Sequence, residues 1–159
     1  MRSSVIIRRA TIEDTGPISE LLTALAEEFI VGDLPEEGQL HLRAHLEAGQ
    51  MGTRLASPEY RFLVAEDGDA IAGVVAIRGN AHLHYLFVAK ALQRTGLARQ
   101  LWEVARDDAI RTGNSSGRFT VNASRYAVPA YERLDFRCLG PVQQANGVQY
   151  QPMEWVSGT

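Results

Sequence analysis

The sequence predicts a mixed α/β (α+β) fold in which a mainly antiparallel central sheet carries helices on both faces. Short apolar runs are separated by turn signals at Asp67-Gly68 and Gly79-Asn80, which is typical of strands joined by hairpins. A later apolar strand leads into an amphipathic helix and on to another strand, the pattern of a parallel crossover. The 159 residues show no repeat and no linker, which predicts one domain over residues 1–159.

Each element is predicted from apolar spacing and its flanking signals. Asp14, Thr15 and Pro17 mark a helix start, which is followed by apolar residues at helical spacing from Ile18 to Phe29. Residues 31–58 are less periodic, and one short helix over 39–48 between loops fits them best. Strands are predicted over 4–10, 60–65, 70–77, 81–88, 118–122, 136–139 and 148–155, and further helices over 95–112 and 126–134.

Charge and composition exclude several classes of function. The formal net charge is −3, and Lys90 is the only lysine, so the basic footprint of a nucleic-acid-binding protein is absent. No apolar run approaches the roughly 20 residues that span a bilayer, and the N-terminus lacks the core of a signal peptide. We therefore expect a cytoplasmic protein without nucleic-acid or membrane partners. Cys138 is the single cysteine, and we expect it to be a small buried or half-buried hydrophobe.

The turn between the strand 81–88 and the following helix carries the residues QRTGLA, Gln93 to Ala98. The start of a helix leaves backbone N–H groups unpaired and carries partial positive charge, so it is a ready site for an anion. Gly96 has no side chain, which lets a phosphate approach the backbone closely. Neither a P-loop string nor a dinucleotide-binding G-x-G-x-x-G string occurs in the chain.

This turn resembles the acyl-CoA pyrophosphate site of the GCN5-related N-acetyltransferases, whose signature is Q/R-x-x-G-x-G/A. Gln93, Gly96 and Ala98 fill the three signature positions, and the order of elements matches the family's acyl-CoA N-acyltransferase fold along nearly the whole chain. The resemblance implies acetyl-CoA as cosubstrate and no metal. It implies a pantetheine arm beside one strand segment and a pyrophosphate on the backbone of the turn; the residues concerned are Leu86, Phe87, Val88, Gln93, Arg94, Thr95, Gly96, Leu97, Ala98 and Arg99. Lys90 replaces the family's usual proline, a departure that spares the backbone site.

A second segment, Val121 to Phe136, resembles the family's other CoA-contacting stretch. Tyr131 occupies the position of the family's tyrosine, which implies a neutral phenol that protonates or hydrogen-bonds the leaving sulfur. Ser124 stands where many relatives place an asparagine that contacts the CoA arm, and Asn122 either contacts a ligand or only ends its strand. The alternative for Tyr131 is a helix tyrosine that packs on the sheet.

The stretch AHLHYLFV, from Ala81 to Val88, is similar to the A-H-L-H string of arylalkylamine N-acetyltransferases, in which two histidines are linked to a water path that deprotonates the amine. His82 and His84 are two residues apart, so they face one side of a regular strand. If they relay the ammonium proton, kcat/KM should rise with pH through an imidazole titration near pH 6–7. The alternative is that both are strand histidines without a catalytic role. His41 and His45 have i, i+4 spacing but no evident third metal ligand, and we expect a solvated helix face.

Together these patterns predict an N-acetyltransferase in which a primary amine attacks the thioester directly. Tyr131 would be the general acid, a histidine or water the base, and a backbone N–H near Val88 the group that polarises the carbonyl. The expected acceptor is a small-molecule or peptidyl amine near carboxylates in the stretch 27–37. The oligomeric state stays open, and a homodimer is one possibility because dimers are frequent in such families. Two alternatives stay open: a non-catalytic acyl-CoA-binding regulatory domain, and a protein N-terminal or ribosomal-protein acetyltransferase.

Overall fold

The computed structural model describes residues 5–158, and this part of the chain forms eight strands and five α-helices. The strands are β1 (Val5–Arg9), β2 (Tyr60–Asp67), β3 (Ala70–Arg78), β4 (His82–Val88), β5 (Arg118–Ala123), β6 (Arg137–Cys138), β7 (Gln143–Ala145) and β8 (Val148–Val156). The helices are α1 (Thr15–Phe29), α2 (Glu36–Leu46), α3 (Ala48–Ala56), α4 (Leu97–Thr112) and α5 (Val128–Arg133). No helix within residues 5–158 is long and apolar enough to cross a membrane.

The strands form one mixed sheet in the order β1-β2-β3-β4-β5-β8-β6, and β7 pairs with β8 outside that path. Among the described strands only β4 and β5 are parallel neighbours, and α4 makes the crossover between them. The two predicted hairpin turns are present, because Gly68, Gly79 and Asn80 adopt the positive φ that tight turns require. The predicted fold class is confirmed.

Two apolar cores lie on opposite faces of the sheet. On one face α4 and α5 bury Leu101, Trp102 and Tyr131, and on the other α1–α3 bury Ile18 and Met51. Gly73 in β3 permits this packing, because a Cβ there would lie 2.8 Å from the Leu101 Cδ1 atom. The face covered by α1–α3 is called the acceptor face below, and the other is called the α4 face.

The prediction for residues 31–58 was wrong in its detail. Instead of one helix over 39–48, two helices meet at Glu47, which is extended at φ −66° and ψ 158°. The Glu47 carboxylate accepts a hydrogen bond of 2.8 Å from the Gln50 N–H and so begins α3. The glycine-rich sequence of α3 hid this helix from pattern analysis.

Several smaller expectations also differ from the structure. Cys138 is exposed, because β6 is a two-residue strand at the sheet edge, so the expectation of a buried or half-buried cysteine was wrong. The short polar strand β7 was missed. Helix α4 begins at Leu97 rather than Thr95, since Gly96 has a left-handed φ of 88°. The predicted start of the first strand, Ser4, lies outside the described residues.

Candidate active site

The parallel strands β4 and β5 diverge soon after they meet. They pair only at His82–Thr120 and Leu83–Val121, and beyond that point β4 pairs with β3 alone while β5 pairs with β8 alone. The separation of the two strands opens a gap in the middle of the sheet. The stretch from Leu86 to Val88 forms one side of this gap.

Alternate backbone groups of β4 point into the gap. The Ala89 N–H donates to the Ala72 carbonyl of the neighbouring chain segment at 2.8 Å, and Gly73 lies opposite Val88. Because antiparallel pairing alternates along a strand, Leu86 and Val88 direct their N–H groups away from β3, whereas Phe87 directs its own toward β3. The backbone groups of Phe87 are therefore engaged by β3, whereas the N–H groups of Leu86 and Val88 are available to a ligand.

The turn before α4 presents an unbroken run of unpaired backbone donors. No group in residues 5–158 accepts a hydrogen bond from any N–H between Arg94 and Arg99, and the first bonded N–H is that of Gln100, which donates to the Gly96 carbonyl at 3.1 Å. Arg94 and Gly96 both adopt positive φ, at 64° and 88°. A Cβ added at Gly96 would meet no atom within 4 Å, so the space over this turn is open.

The polar side chains of the turn have different roles. Gln93 Nε2 donates to the Val88 carbonyl at 3.1 Å and so ties the turn to the end of β4. Thr95 Oγ1 donates to the Leu92 carbonyl at 2.5 Å. Arg99 donates to the Arg133 carbonyl at the end of α5, whereas the exposed Arg94 guanidinium has no ion pair among the described residues.

The end of β5 and the segment after it bring Asn122, Ser124 and Tyr131 to the same end of the sheet as the turn. Tyr131 is 7% exposed, and its hydroxyl has no hydrogen-bond partner within residues 5–158. Burial raises the pKa of this phenol above its ordinary value, so the hydroxyl stays protonated at neutral pH. Ser124 Oγ accepts from the Ala127 N–H at 3.2 Å, which makes it a cap, and its own hydroxyl proton is free. Asn122 is exposed.

The two predicted histidines lie close together at the point where β4 and β5 separate. Their ring centroids are 6.3 Å apart, and His82 Nδ1 is 2.9 Å from Thr120 Oγ1. The strand is not regular here, because the β3–β4 register shifts at this point and leaves His84 without a residue opposite it. Leu83 consequently packs on the α4 face and Tyr85 on the acceptor face, although alternation alone would put both on one face.

Burial keeps these imidazoles neutral. Desolvation, with a smaller contribution from nearby cationic and imidazole groups, lowers the pKa of His84 to about 3, and desolvation together with Arg78 lowers the pKa of His82 below its ordinary value. The His84 Nε2 atom is buried without a hydrogen-bond partner among the described residues. A rise of kcat/KM near pH 6–7, as expected for an ordinary imidazole, therefore does not fit His84.

Sequence analysis missed a third histidine beside this pair. His45 was expected on a solvated helix face, but it is half-buried, and its ring centroid lies 5.5 Å from that of His84. Its Nδ1 is 2.7 Å from Arg54 Nη2 and its Nε2 is 2.9 Å from the Tyr85 hydroxyl. Residues so far apart in the chain leave no local pattern, so only the number of histidines could have hinted at the cluster. No group of three or more metal-binding side chains occurs in residues 5–158.

A shallow cleft opens beside the end of β5. Phe29 at the end of α1 stacks on Tyr126 with ring centroids 4.6 Å apart, and the Tyr126 hydroxyl lies 3.5 Å from Gln93 Oε1. Asp33 and Arg125 bring one charge of each sign to the lining. The remaining lining residues are Ile30, Leu34, Ser124 and Gln149.

This constellation of a split sheet and a donor-rich turn can be compared with known proteins. The sequence model of the family described as "Acetyltransferase (GNAT) domain" matches residues 30–157, which is most of the chain. The protein belongs to the GCN5-related N-acetyltransferase (GNAT) family. It is accordingly an acyltransferase, and the resemblance found in the sequence is confirmed. No curated protein sequence matches the chain significantly.

Solved GNAT structures share this fold along almost their whole length. A GCN5-related N-acetyltransferase from Rhodopseudomonas palustris superposes with a TM-score of 0.80 at 19% identity, covering 97% of each chain. The PaiA N-acetyltransferase from Thermoplasma acidophilum, solved in complex with coenzyme A, has a TM-score of 0.75 at 16% identity, covering 95% of this chain and 98% of its own. A spermidine N-acetyltransferase from Vibrio cholerae has a TM-score of 0.64 at 16% identity, covering 95% and 92%.

Proposed function

We propose that this GNAT protein transfers the acetyl group of acetyl-CoA to a primary amine on a small molecule or a peptide. The observation that carries the proposal is the run of unpaired N–H groups from Arg94 to Arg99 beside the gap between β4 and β5. Such a run is suited to a pyrophosphate, and the strand edge beside it is suited to the amide-bearing arm of a CoA thioester. The PaiA relative in complex with coenzyme A has the same fold.

The residues present fit acetyl-CoA. The donors of the turn and the open space over Gly96 suit the pyrophosphate, and the unpaired Arg94 guanidinium supplies a positive charge. The backbones of Leu86 and Val88 offer the pairing groups for the pantetheine arm. Across the gap, Asn122 near the end of β5 and the free hydroxyl proton of Ser124 just after it are further polar groups.

Bound acetyl-CoA supplies the thioester that the amine attacks, so no covalent intermediate on the protein is required. The Val88 N–H polarises the thioester carbonyl, because it points into the gap and has no partner in β3. The neutral Tyr131 hydroxyl donates to the leaving sulfur, and its proton has no competing acceptor in the described part of the chain. The exposed Cys138 takes no part.

Burial of the histidines favours release of the ammonium proton to bulk solvent over its storage on an imidazole. A primary ammonium has a pKa near 10, so at pH 7 the free amine is about a thousandfold less abundant than the ammonium, a cost of about 4 kcal/mol. Desolvation lowers the pKa of His84 to about 3, so this ring stays neutral during the reaction. In our proposal, His82 and His84 hydrogen-bond the neutral amine or the water that carries its proton to bulk solvent.

We assign the ammonium group of a cationic acceptor to the Asp33 side of the cleft. Two of the carboxylates expected near the acceptor are neutralised, because Glu27 pairs with Arg43 at 2.6 Å and Glu28 pairs with Lys90 at 2.5 Å. Asp33 and Arg125 line the cleft, and neither has an ion pair within residues 5–158. A free carboxylate beside aromatic walls attracts an ammonium group. The spermidine N-acetyltransferase relative is named for an acceptor of this cationic kind.

An acetyl-CoA thiol-release assay with a broad panel of amines and peptides, read out by mass detection of products, tests the proposal. For a cationic acceptor we expect KM to rise with salt, because the Debye length falls to about 8 Å at 0.15 M. We also expect KM to rise in Asp33→Asn and not in the matched exposed variant Glu36→Gln. Binding of CoA without turnover of any amine or peptide would favour the regulatory alternative. Turnover of ribosomal proteins or protein N-termini alone would favour a macromolecular acceptor.

A further inference from the structure

A half-buried chain of hydrogen bonds joins three elements on the acceptor face and uses residues to which the proposed reaction assigns no role. Arg54 of α3 contacts His45 twice, with Nη1 donating to the His45 carbonyl at 2.6 Å and Nη2 lying 2.7 Å from His45 Nδ1. His45, near the end of α2, continues the chain through Nε2, which is 2.9 Å from the Tyr85 hydroxyl of β4.

The chemistry of the donors fixes the direction of this chain. A guanidinium can only donate, so His45 Nδ1 must be the acceptor and must carry no proton. The neutral imidazole then carries its proton on Nε2 and donates it to the Tyr85 oxygen. The Tyr85 hydroxyl proton consequently points away from His45. Protonation of His45 would set an N–H against an N–H of Arg54, so this ring is held in one tautomer and one orientation.

The guanidinium of Arg54, which begins this chain of hydrogen bonds, is not neutralised by a carboxylate. Among the guanidinium groups in residues 5–158 that lack an ion pair, Arg54 is the only one that is half-buried, and the others are exposed. A half-buried unpaired cation is costly unless its hydrogen bonds are satisfied. Here a neutral histidine and a helix-end carbonyl accept two of its five N–H donors, and the positive charge polarises the hydrogen bonds that follow.

The chain of hydrogen bonds ends at Tyr85, whose ring packs on the ring of His84. The Tyr85 ring contacts the His84 ring edge-on, with centroids 4.5 Å apart, and Tyr60 makes a second edge contact at 5.2 Å. His84 sits on the irregular part of β4, and no group among the described residues hydrogen-bonds its buried Nε2. Ring packing is therefore what holds the side chain of His84 in place.

We infer that His45 and Arg54 are positioning residues for acetyl transfer. Through their hydrogen bonds they fix the Tyr85 ring, and the Tyr85 ring packs on His84 and holds it in place on the acceptor face. This inference rests on the proposed function for its catalytic consequence. A small misplacement of a reacting group costs up to about a hundredfold in rate, so loss of the chain should lower kcat by about 10- to 100-fold. Because Arg54 and His45 lie on the acceptor face, away from the turn before α4, acetyl-CoA affinity should not change.

The test compares Arg54→Gln and His45→Gln with wild type and with Arg9→Gln, which removes an exposed guanidinium without an ion pair from the edge strand β1. Steady-state assays give kcat for the best amine of the panel, calorimetry gives the Kd of acetyl-CoA, and nitrogen-15 NMR of the imidazoles gives the tautomer of His45. Arg54→Gln keeps an amide donor and removes the charge. Arg54→Lys keeps the charge and should recover part of kcat.

We expect wild-type His45 to show a protonated Nε2 and an unprotonated Nδ1 that do not titrate between pH 8 and pH 5. Burial is the main cause of its low pKa and Arg54 the second, so the pKa of His45 should rise in Arg54→Gln. The groups that face this cluster are His41 of α2, Arg54 of α3, Tyr60 of β2, Arg78 of β3, and His82, His84 and Tyr85 of β4. A protonated Nδ1 in wild type, or variants whose kcat stays within about twofold of wild type while only Tm falls, overturns the inference alone. A wild-type protein that acetylates no amine overturns the proposed function and the catalytic role of the chain with it.

Discussion

The side chain of Tyr131 is buried, and its hydroxyl makes no hydrogen bond within residues 5–158. Tyr131→Phe removes one proton donor and keeps the ring that packs on Phe136, at a centroid distance of 5.5 Å. We expect kcat to fall by about 10²–10⁴-fold with little change in acetyl-CoA affinity. Because no hydrogen bond inside the protein is broken, Tm should hardly change. Initial rates, calorimetry and thermal melting measure the three quantities.

Tyr150→Phe in β8 is the matched control, since it also removes a phenol oxygen that makes no hydrogen bond within the described residues. Its kcat should equal that of wild type. If Tyr131→Phe turns over as fast as wild type, on an amine for which chemistry limits the rate, Tyr131 has only a packing role.

At the level of single residues, the sequence predicts best where the signal is local. The open turn at Gly96 follows from a glycine placed between a strand and a helix, and the structure shows the free donors expected there. The contact of His45 with Arg54 and Tyr85 could not be predicted, because Tyr85 is 40 residues from His45 and the three lie on separate elements. The depressed pKa of His84 arises from this same burial by distant elements.

Among the elements, the turn that leads into α4 carries the sharpest test of ligand binding. Gly96→Glu places bulk and negative charge in the open space over the free N–H groups. Hydrogen bonds to a charged group contribute about 1.5–3 kcal/mol each, so the loss of two weakens CoA binding by at least about a hundredfold. Calorimetric titration and the thermal shift on adding CoA should both report this loss.

Gly79→Glu controls for backbone strain and charge. Gly79 also has a positive φ, 59° against 88° at Gly96, and a Cβ there also meets no atom within 4 Å. It lies in the β3–β4 turn near the far end of α4, where Asn114 contacts Asn80. This variant should be destabilised to a similar degree and should bind CoA normally. Normal CoA binding by a folded Gly96→Glu variant contradicts the phosphate assignment.

The elements predicted well are those bounded by turns. The β2–β3 and β3–β4 hairpins follow from Asp67-Gly68 and Gly79-Asn80, whose φ values are positive where the sequence requires it. The β-bulge at His84 could not be seen, because its sequence alternates like a regular strand. Helix α3 was missed because two glycines weaken its helical signal, and its start depends on the Glu47 side chain.

Across the whole molecule, the buried histidines link stability to pH. His45 and His84 have pKa values of about 4 and 3 in the folded protein and about 6.5 when unfolded. The unfolded chain therefore binds more protons below pH 6.5, so stability is fully present above that pH and falls as the pH drops. Between pH 7 and pH 5 we expect the free energy of unfolding to fall by about 2 kcal/mol, a value reduced for the partial solvent exposure of both rings.

Urea unfolding at pH 7 and pH 5 measures this change before most carboxylates titrate. The double variant His45→Gln, His84→Gln should lose most of the pH dependence, because neither glutamine can take up a proton. His41→Gln is the matched control: His41 is exposed on α2, the same helix as His45, and its loss should leave the dependence intact. An unfolding free energy that is equal at pH 7 and pH 5 in wild type would mean that His45 and His84 titrate in the folded protein as they do in the unfolded chain. The conclusion that His45 and His84 stay neutral in the folded protein would then be wrong.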